Sequence, residues 1–164
     1  MSRKIIISIA LFVLVLVGGV SKSVWTAQKL TVQDYMEIHQ LYAHYNYAID
    51  SRADDGWMWA NLFTVDGVFE TPSGPVKGHA QLREMAKPQN DGSNLAPVHF
   101  ATNIIINPTQ EGAKGSSYLI LVGDTQSGKQ VVTGKGFYDD ILVKTSKGWR
   151  FQKRSYMREA FPVE

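Results

Sequence analysis

The chain has 164 residues, of which 44% are hydrophobic, with no cysteine and a formal net charge of +2. This length fits one compact domain with a core of ordinary size. Because cysteine is absent, disulfides, thiol nucleophiles and cysteine-ligated metals are excluded.

The first 23 residues have the layout of a secretory signal peptide. Arg3 and Lys4 precede an apolar run from Ile5 to Val17, and small residues follow up to Ser23, after which we expect cleavage. The alternative is an uncleaved membrane anchor, although the apolar run is shorter than the roughly 20 residues of a full span. We therefore expect an exported protein, periplasmic or secreted, that contacts a membrane only if this leader is retained.

Loss of the leader removes three of the 17 basic residues and none of the 15 acidic ones, which leaves a formal charge near −1. Such a balance provides no basic surface for nucleic acid, and we expect no nucleic-acid partner. The segment KTSKGWRFQKR, residues 144–154, is locally basic but alternates like a strand. We interpret it as a solvated face.

The first half of the domain has a helical pattern. Thr31 is predicted to cap a helix, with Asp34 in an acidic version of the capping box. Apolar residues at three- and four-residue spacing predict a helix over residues 32–50 with one buried stripe: Tyr35, Ile38, Leu41, Tyr42, Tyr45 and Ile49. We then predict a second helix in SRADDGWMWANLF, a short strand in GVFETPSG, a third helix in GHAQLREMAK, and a loop in QNDGSNLAP.

The second half changes to a strand pattern. Four β-rich runs are separated by turn sequences typical of hairpins. The runs are VHFATNIIIN, GAKGSSYLILVGD, QVVTGKGFYDDILVKT and GWRFQKRSYMREAF. Helices followed by an antiparallel meander predict an α+β domain. The sheet curls by its natural twist, and helices on its concave side would enclose a cone with an apolar interior.

The chain resembles the SnoaL-like branch of the nuclear-transport-factor-2-like (NTF2-like) superfamily in its order of elements and in three segments. These segments are YAHYNYAIDSRADDGWMWANLFTVDGVFE, HFATNIII and GKGFYDDILVKTSKGWRFQKR. The resemblance covers most of one domain, which we expect over residues 30–162. It implies an NTF2-like cone, a curved antiparallel sheet wrapped around N-terminal helices. The superfamily includes scytalone dehydratase, bile-acid dehydratase, hexachlorocyclohexane dehydrochlorinase, polyketide cyclases, steroid isomerases and members without catalytic activity.

The resemblance also implies a catalytic pair. The dehydratase and dehydrochlorinase members combine an aspartate at the end of the first helix with a histidine at the start of the strand after the third helix. Asp50 in AIDSR and His99 in VHFATN occupy these positions. The second histidine of scytalone dehydratase and the arginine of the dehydrochlorinase have no counterpart. The chain has Ser116, Ser117 and Tyr118 in the first region and Lys144 and Thr145 in the second.

The chemistry of this pair follows from its side chains. Imidazole abstracts protons near neutral pH, and a carboxylate behind it orients the ring and stabilises the imidazolium. The alternative for His99 is a core histidine that binds a backbone carbonyl, and for Asp50 a helix-terminal residue that faces water. A carboxylate at a helix C-terminus is unfavourable, so Asp50 needs a partner, either His99 or Arg52.

Four residues are candidates for substrate binding. Period-two alternation places Asn103 on the face of His99; the alternative is that it serves backbone groups at an irregularity. Tyr42 and Tyr45 lie on the helical stripe, where a hydroxyl could enter the cone, although core packing is the stronger interpretation. Trp57 is the fourth, with a core or rim position as its alternative. No His/Asp/Glu spacing suits a metal, and we expect no cofactor.

Two functions remain open. The first is a cofactor-independent lyase, a dehydratase or dehydrohalogenase type of β-elimination, or a related isomerase or cyclase, acting on a small apolar and cyclic substrate. The second is a non-catalytic domain for small-molecule binding or dimerisation. In either case we expect a small apolar ligand and a homodimer or homotrimer.

Overall fold

The computed structural model describes residues 29–88 and 97–158. The predicted leader and nearly all of the predicted QNDGSNLAP loop lie outside these residues. The elements, in chain order, are α1 (Val32–Ser51), a 3₁₀ turn (Asp54–Gly56), α2 (Trp57–Ala60), β1 (Phe63–Thr71), β2 (Gly74–Lys77), α3 (Gly78–Ala86), β3 (Val98–Pro108), β4 (Ala113–Asp124), β5 (Gln130–Thr145) and β6 (Gly148–Met157). This order confirms the predicted α+β class. Within the described residues, every helix is too short or too polar to cross a bilayer.

The N-terminal cap of α1 has the predicted capping box. The Asp34 backbone N–H donates to Thr31 Oγ1 over 3.1 Å, and the Thr31 N–H donates to Asp34 Oδ2 over 2.9 Å. Asp34 Oδ1 also accepts hydrogen bonds from Lys144 Nζ at 2.7 Å and Trp149 Nε1 at 3.0 Å. One carboxylate therefore caps the helix and attaches it to the β5–β6 hairpin.

The six strands form one sheet in the order β2-β1-β6-β5-β4-β3. All neighbours are antiparallel except β1 and β6, which are parallel. The predicted short strand is longer than expected, because β1 begins at Phe63, a residue that we had placed in the second helix. Phe63 is buried, and α2 ends at Ala60.

The core lies between α1 and the concave face of the sheet. Its larger members are mostly aromatic and come from α1, α2, β1, β5 and β6: Tyr42, Tyr45, Trp59, Phe63, Phe69, Tyr138, Trp149 and Phe151. Edge-to-face contacts between these rings, at centroid distances such as 5.0 Å for Trp59 and Phe63, join the helices to the sheet.

One prediction for β6 is wrong. Arg154, in the segment interpreted as a solvated face, is fully buried. Its Nε and Nη2 donate to the two carboxylate oxygens of Asp140 over 2.8 and 2.7 Å, and Tyr42 donates its hydroxyl proton to the same carboxylate. The guanidinium carbon lies 4.0 Å from the ring centre of Tyr138 and 4.1 Å from that of Tyr45. We call Arg154, Asp140 and Tyr42 the arginine cluster. Aromatic residues distant in sequence surround it, so strand alternation alone did not indicate burial.

Candidate active site

His99 and Asp50 meet where α1 ends and β3 begins. His99 Nδ1 lies 2.6 Å from Asp50 Oδ1, and the backbone N–H of His99 donates to Asp50 Oδ2 over 3.1 Å. The carboxylate thus holds both the ring and the backbone of the histidine. Arg52 donates instead to the carbonyl of Lys87 over 3.2 Å. Of the two partners considered for Asp50, the fold brings His99 to it.

This contact determines which ring nitrogen is available. An ionised carboxylate only accepts hydrogen bonds, so Nδ1 carries the proton and donates it to Asp50. In the neutral ring, Nε2 then has the free lone pair. Among the described residues, none forms a hydrogen bond with Nε2. The nitrogen that can accept a proton is therefore the one that Asp50 does not contact.

His99 lies in the wall between two concavities. One is an outer groove of about 320 Å³ between α1 and β3, which Asp50, His39, Asn46 and Phe100 also line. The other is an interior cavity of about 480 Å³ between α1, α3 and the concave face of the sheet. Asp50 lines the groove but not the interior cavity. His99 is common to both linings, so its side chain borders the groove and the interior cavity.

The interior cavity is mostly apolar and has the size of a small-molecule site. Its lining residues come from α1, α2, α3, all six strands and adjoining turns: Tyr45, Ile49, Trp59, Phe69, Thr71, Pro72, Ser73, Val76, Met85, His99, Leu119, Leu121, Tyr138, Tyr156 and Arg158. The imidazole of His99 is 20% exposed and lines this mostly apolar space. Low polarity strengthens its interaction with Asp50.

Tyr45 is in the wall of this cavity, on the predicted stripe of α1. Its ring packs against Trp59 at 5.5 Å and Tyr138 at 5.8 Å between centroids, and the residue is 2% exposed. Burial raises the pKa of Tyr45, and the nearby Arg154 charge opposes that shift without cancelling it. The hydroxyl is therefore neutral near pH 7, where it can act only by hydrogen bonding.

Asn103 does not share the face of His99, contrary to the period-two expectation. The β3–β4 register shifts between Thr102 and Ile105, and Asn103 has a positive φ of 54°. The extra residue of this bulge reverses the alternation, so Ile104 packs inward and Asn103 is exposed. Its side-chain oxygen accepts a hydrogen bond from Thr102 Oγ1 over 2.6 Å. The irregularity of the alternative interpretation is present, but this hydrogen bond of Asn103 is to a side chain and not to a backbone group.

Tyr42 and Trp57 also lie outside the interior cavity. The hydroxyl of Tyr42 binds Asp140 in the arginine cluster, and its ring borders the outer groove. Trp57 is on the opposite surface of α2, where its ring contacts His79 and the Arg83 guanidinium. Residues two apart on a helix point in very different directions, so Trp59 lines the cavity and Trp57 does not.

Sequence reasoning missed several wall residues. Tyr138, Tyr156 and Arg158 were not identified. The alternation of β5 contains a signal for Tyr138, whose inward neighbours recur at every second residue. The register of β6 shifts between Phe151 and Lys153, so alternation counted from Trp149 and Phe151 does not predict an inward Tyr156. Met85 on α3 had no comparable signal. Within residues 29–88 and 97–158, no group of three or more His, Asp or Glu side chains is arranged to hold a metal.

Comparison with known proteins agrees with this architecture. Residues 30–155 match the SnoaL-like domain family. A protein of unknown function from Mycobacterium tuberculosis is 27% identical, with a TM-score of 0.69 and 80% of each chain covered. A cystatin-like-fold protein of unknown function from Nostoc punctiforme is 25% identical, with a TM-score of 0.68, covering 82% of this chain and 98% of its own.

More distant structures have the same fold. ActVI-ORFA from Streptomyces coelicolor is 20% identical, with a TM-score of 0.63, covering 76% of this chain and 96% of its own. A comparison with curated proteins gave no match. The SnoaL-like family includes polyketide cyclases and other enzymes that process small molecules, and NTF2-like domains often oligomerise. As the sequence resemblance predicted, this chain belongs to the SnoaL-like family and has its NTF2-like fold.

Proposed function

We propose that the protein is a cofactor-independent enzyme that removes a proton from a small apolar, cyclic substrate, with His99 as the general base. The observation that supports this most directly is the 2.6 Å contact between His99 Nδ1 and Asp50 Oδ1, in the wall of an apolar cavity. Asp50 acts through His99 and is therefore the positioning residue of the pair.

The reaction begins when Nε2 takes a proton from a carbon next to an electron-withdrawing group. The C–H electron pair forms a carbon–carbon double bond, and a hydroxide or halide leaves with its own bonding pair. The imidazolium is stabilised by Asp50 and returns the proton to a departing hydroxide, which leaves as water; where a halide leaves, it releases the proton to solvent. In the isomerase variant the proton returns to another carbon. In the cyclase variant the carbanion attacks a carbonyl of the same substrate, and the alkoxide that forms takes the proton.

The apolar walls support this chemistry. They exclude water from a carbanion that water would protonate, and they strengthen the His99–Asp50 interaction through low local polarity. Tyr45 lines the same cavity, and we propose that its hydroxyl hydrogen-bonds a substrate carbonyl or leaving group. This proposed role of Tyr45 is the part of the substrate-binding prediction that we retain.

Turnover of a panel of cyclic β-hydroxy ketones and chlorinated cyclohexanes by the purified protein tests the proposal. We expect His99→Gln to lose roughly 10²–10⁴-fold in rate and Asp50→Asn to lose less. The control His44→Gln, an exposed histidine of α1 that does not line the cavity, should retain wild-type turnover. Full turnover by His99→Gln would refute the proposal.

A tautomer measurement tests the geometry without a substrate. In ¹⁵N NMR spectra the wild type should show His99 protonated at Nδ1 in its neutral form. Asp50→Asn should change this ring's spectrum and leave that of His44 unaltered. A neutral His99 protonated at Nε2 in the wild type would contradict the proposed base.

An assembly role has its own support. The outward face of β3, β4 and β5 exposes apolar side chains, among them Phe100 at 47%, Ile120 at 37% and Val132 at 66%. Phe100 and Ile120 are direct cross-strand neighbours. We infer that this face pairs copies of the chain into a homodimer or homotrimer. Ile120→Glu should convert the assembly to monomers in sedimentation experiments, and a monomeric wild type at micromolar concentration would exclude it.

Non-catalytic binding of a small molecule is the competing function, and the interior cavity is equally suited to it. It would be favoured if His99→Gln and the wild type bound the same apolar ligands and neither converted any member of the panel.

We also propose that the leader directs export. The mass of the protein recovered from an expressing bacterium's periplasm would show cleavage after Ser23 or retention of the full chain.

A further inference from the structure

The mouth of the interior cavity has an arginine with an unusual environment. Arg154, Tyr156 and Arg158 occupy every second position along β6 and just beyond its end at Met157. Strand alternation therefore directs them to the same side of the sheet. Tyr156 and Arg158 both line the cavity, and Arg158 is exposed where the cavity opens.

The neighbouring strand β5 provides a carboxylate partner for Arg154 but not for Arg158. Arg154 lies directly opposite Asp140 on β5, which neutralises it. The last pair in this register joins Met157 to Phe137. Extending the register by one residue past the end of β6 places Gly136, which has no side chain, opposite Arg158. The ion pairs among the described residues do not include Arg158.

The rest of the cavity wall does not neutralise this charge either. Its described residues include no aspartate or glutamate. Thr71 at the mouth has its hydroxyl bound to the carbonyl of Gly74 over 2.8 Å. Arg158 is therefore the one permanently charged side chain among the described lining residues, at the end of a space whose other walls are mostly hydrocarbon.

We propose that the cavity selects apolar molecules that carry one compact anionic group, such as a carboxylate or a sulfonate. The anion would bind the guanidinium of Arg158, which donates parallel hydrogen bonds to such groups. The apolar body would lie against Ile49, Val76 and Leu121. This inference rests on the proposed function and deepens it: the substrate is an apolar acid, held at the mouth by its charge so that its other end reaches His99.

Two fluorescent probes with one skeleton test the inference. The anionic probe is 8-anilino-1-naphthalenesulfonate, and N-phenyl-1-naphthylamine is the same molecule without the sulfonate. Dissociation constants are measured for the full chain, for Arg158→Gln and for the control Lys135→Gln. Lys135 is exposed on the outward face of β5 and does not line the cavity, so its variant removes the same charge at a distance.

We expect Arg158→Gln to weaken binding of the sulfonate about tenfold, as for a hydrogen bond to a charged group. Binding of the neutral probe should be unchanged, and Lys135→Gln should leave both constants as in the wild type. Equal weakening of both probes by Arg158→Gln would show a role in shape alone and would overturn the inference. A sulfonate constant unaffected by Arg158→Gln, or no sulfonate binding by the wild type, would overturn it as well.

The readout is binding, so it separates this inference from the proposed reaction. Suppose that Arg158→Gln weakens binding of the sulfonate only, and that the wild type turns over no member of a panel that includes carboxylated rings. The anion site would then stand, and the proposed catalytic activity would be rejected. If instead His99→Gln loses turnover and Arg158→Gln does not weaken sulfonate binding selectively, the proposed catalytic activity would stand and the anion site would be rejected.

Discussion

Two of the carboxylate–base pairs among the described residues have similar contact distances and different surroundings. Arg154 contacts Asp140 at 2.8 and 2.7 Å, and His99 contacts Asp50 at 2.6 Å. The side chains of the first pair are both 0% exposed, whereas those of the second are 20% and 22% exposed. In the first pair the protein surrounds both partners; in the second, one edge of the imidazole borders a cavity. Accessibility, and not the type of pairing, distinguishes a structural pair from a candidate catalytic one.

Electrostatics support the structural assignment of the arginine cluster. Burial lowers the pKa of Arg154, but the charge of Asp140 and its hydrogen bonds raise it by more, so the net pKa is raised. Burial, followed by the charge of Asp140, raises the pKa of Tyr42 well above its ordinary value. Neither group changes its protonation near neutral pH, as expected for a permanent part of the core.

The largest expected effect is on the buried pair. Arg154→Met leaves Asp140 as an uncompensated buried charge, so the free energy of unfolding should fall by about 3–5 kcal/mol. Urea denaturation measures the loss. The control is Lys153→Met, which removes a half-exposed ion pair with Glu70 and should cost under about 1 kcal/mol. Equal small losses in both variants would show that burial does not distinguish these pairs.

A smaller effect with a defined pH dependence is expected at the cap of α1. Hydrogen bonds from Lys144, then Thr31 and Trp149, hold the pKa of Asp34 well below its ordinary value of 3.8. A lowered folded-state pKa contributes stability that is present above pH 3.8 and is lost as the pH falls through the folded-state pKa. Asp34→Asn should therefore unfold at lower temperature than the wild type at pH 7.

The difference between Asp34→Asn and the wild type should shrink progressively as the pH falls below about 4. Thermal denaturation at several pH values measures it. A difference that stays constant between pH 7 and pH 3 would show that the contribution is the shape of the cap and not its charge.

The smallest effect on stability is expected at the open pair. In His99→Gln, Asp50 still accepts the backbone N–H of residue 99, and the lost ring contact is partly exposed. We expect a change in unfolding free energy within about 1 kcal/mol, measured by urea denaturation beside Arg154→Met. A loss as large as that of Arg154→Met would make His99 a structural residue and would remove the contrast between the two pairs.

Much of the fold was readable from local patterns. The capping box of Thr31 and Asp34, the stripe of α1 and the three hairpins of the meander were predicted because each depends on residues close in sequence. Where the pattern was interrupted, prediction failed. A bulge near Asn103 reversed the alternation of β3. Asparagine is uncommon in strands and tolerates a positive φ, so an irregularity there was an alternative, but the residue type alone does not fix where a bulge lies.

The candidate site was only partly predictable. The positions of Asp50 and His99 were proposed from a family resemblance, and the contact between them depends on α1 and β3 meeting in space. Arg158 was not identified, because an arginine near the end of an alternating basic strand does not differ from a solvated one in sequence. The environment that distinguishes it is formed by Gly136, Tyr156 and the turn after β1.

The sequence by itself determined the class of the domain, the ends of α1 and the hairpin order, since hydrophobic period, capping and turn chemistry act over a few residues. Only the tertiary structure decided which polar side chains are buried, which border the cavity and which face solvent. Arg154 and Arg158 have the same side chain, and both lie on the inward side of the sheet, Arg154 in β6 and Arg158 just beyond its end. One is enclosed against Asp140 and the other opens onto the cavity mouth, because their surroundings come from distant parts of the chain.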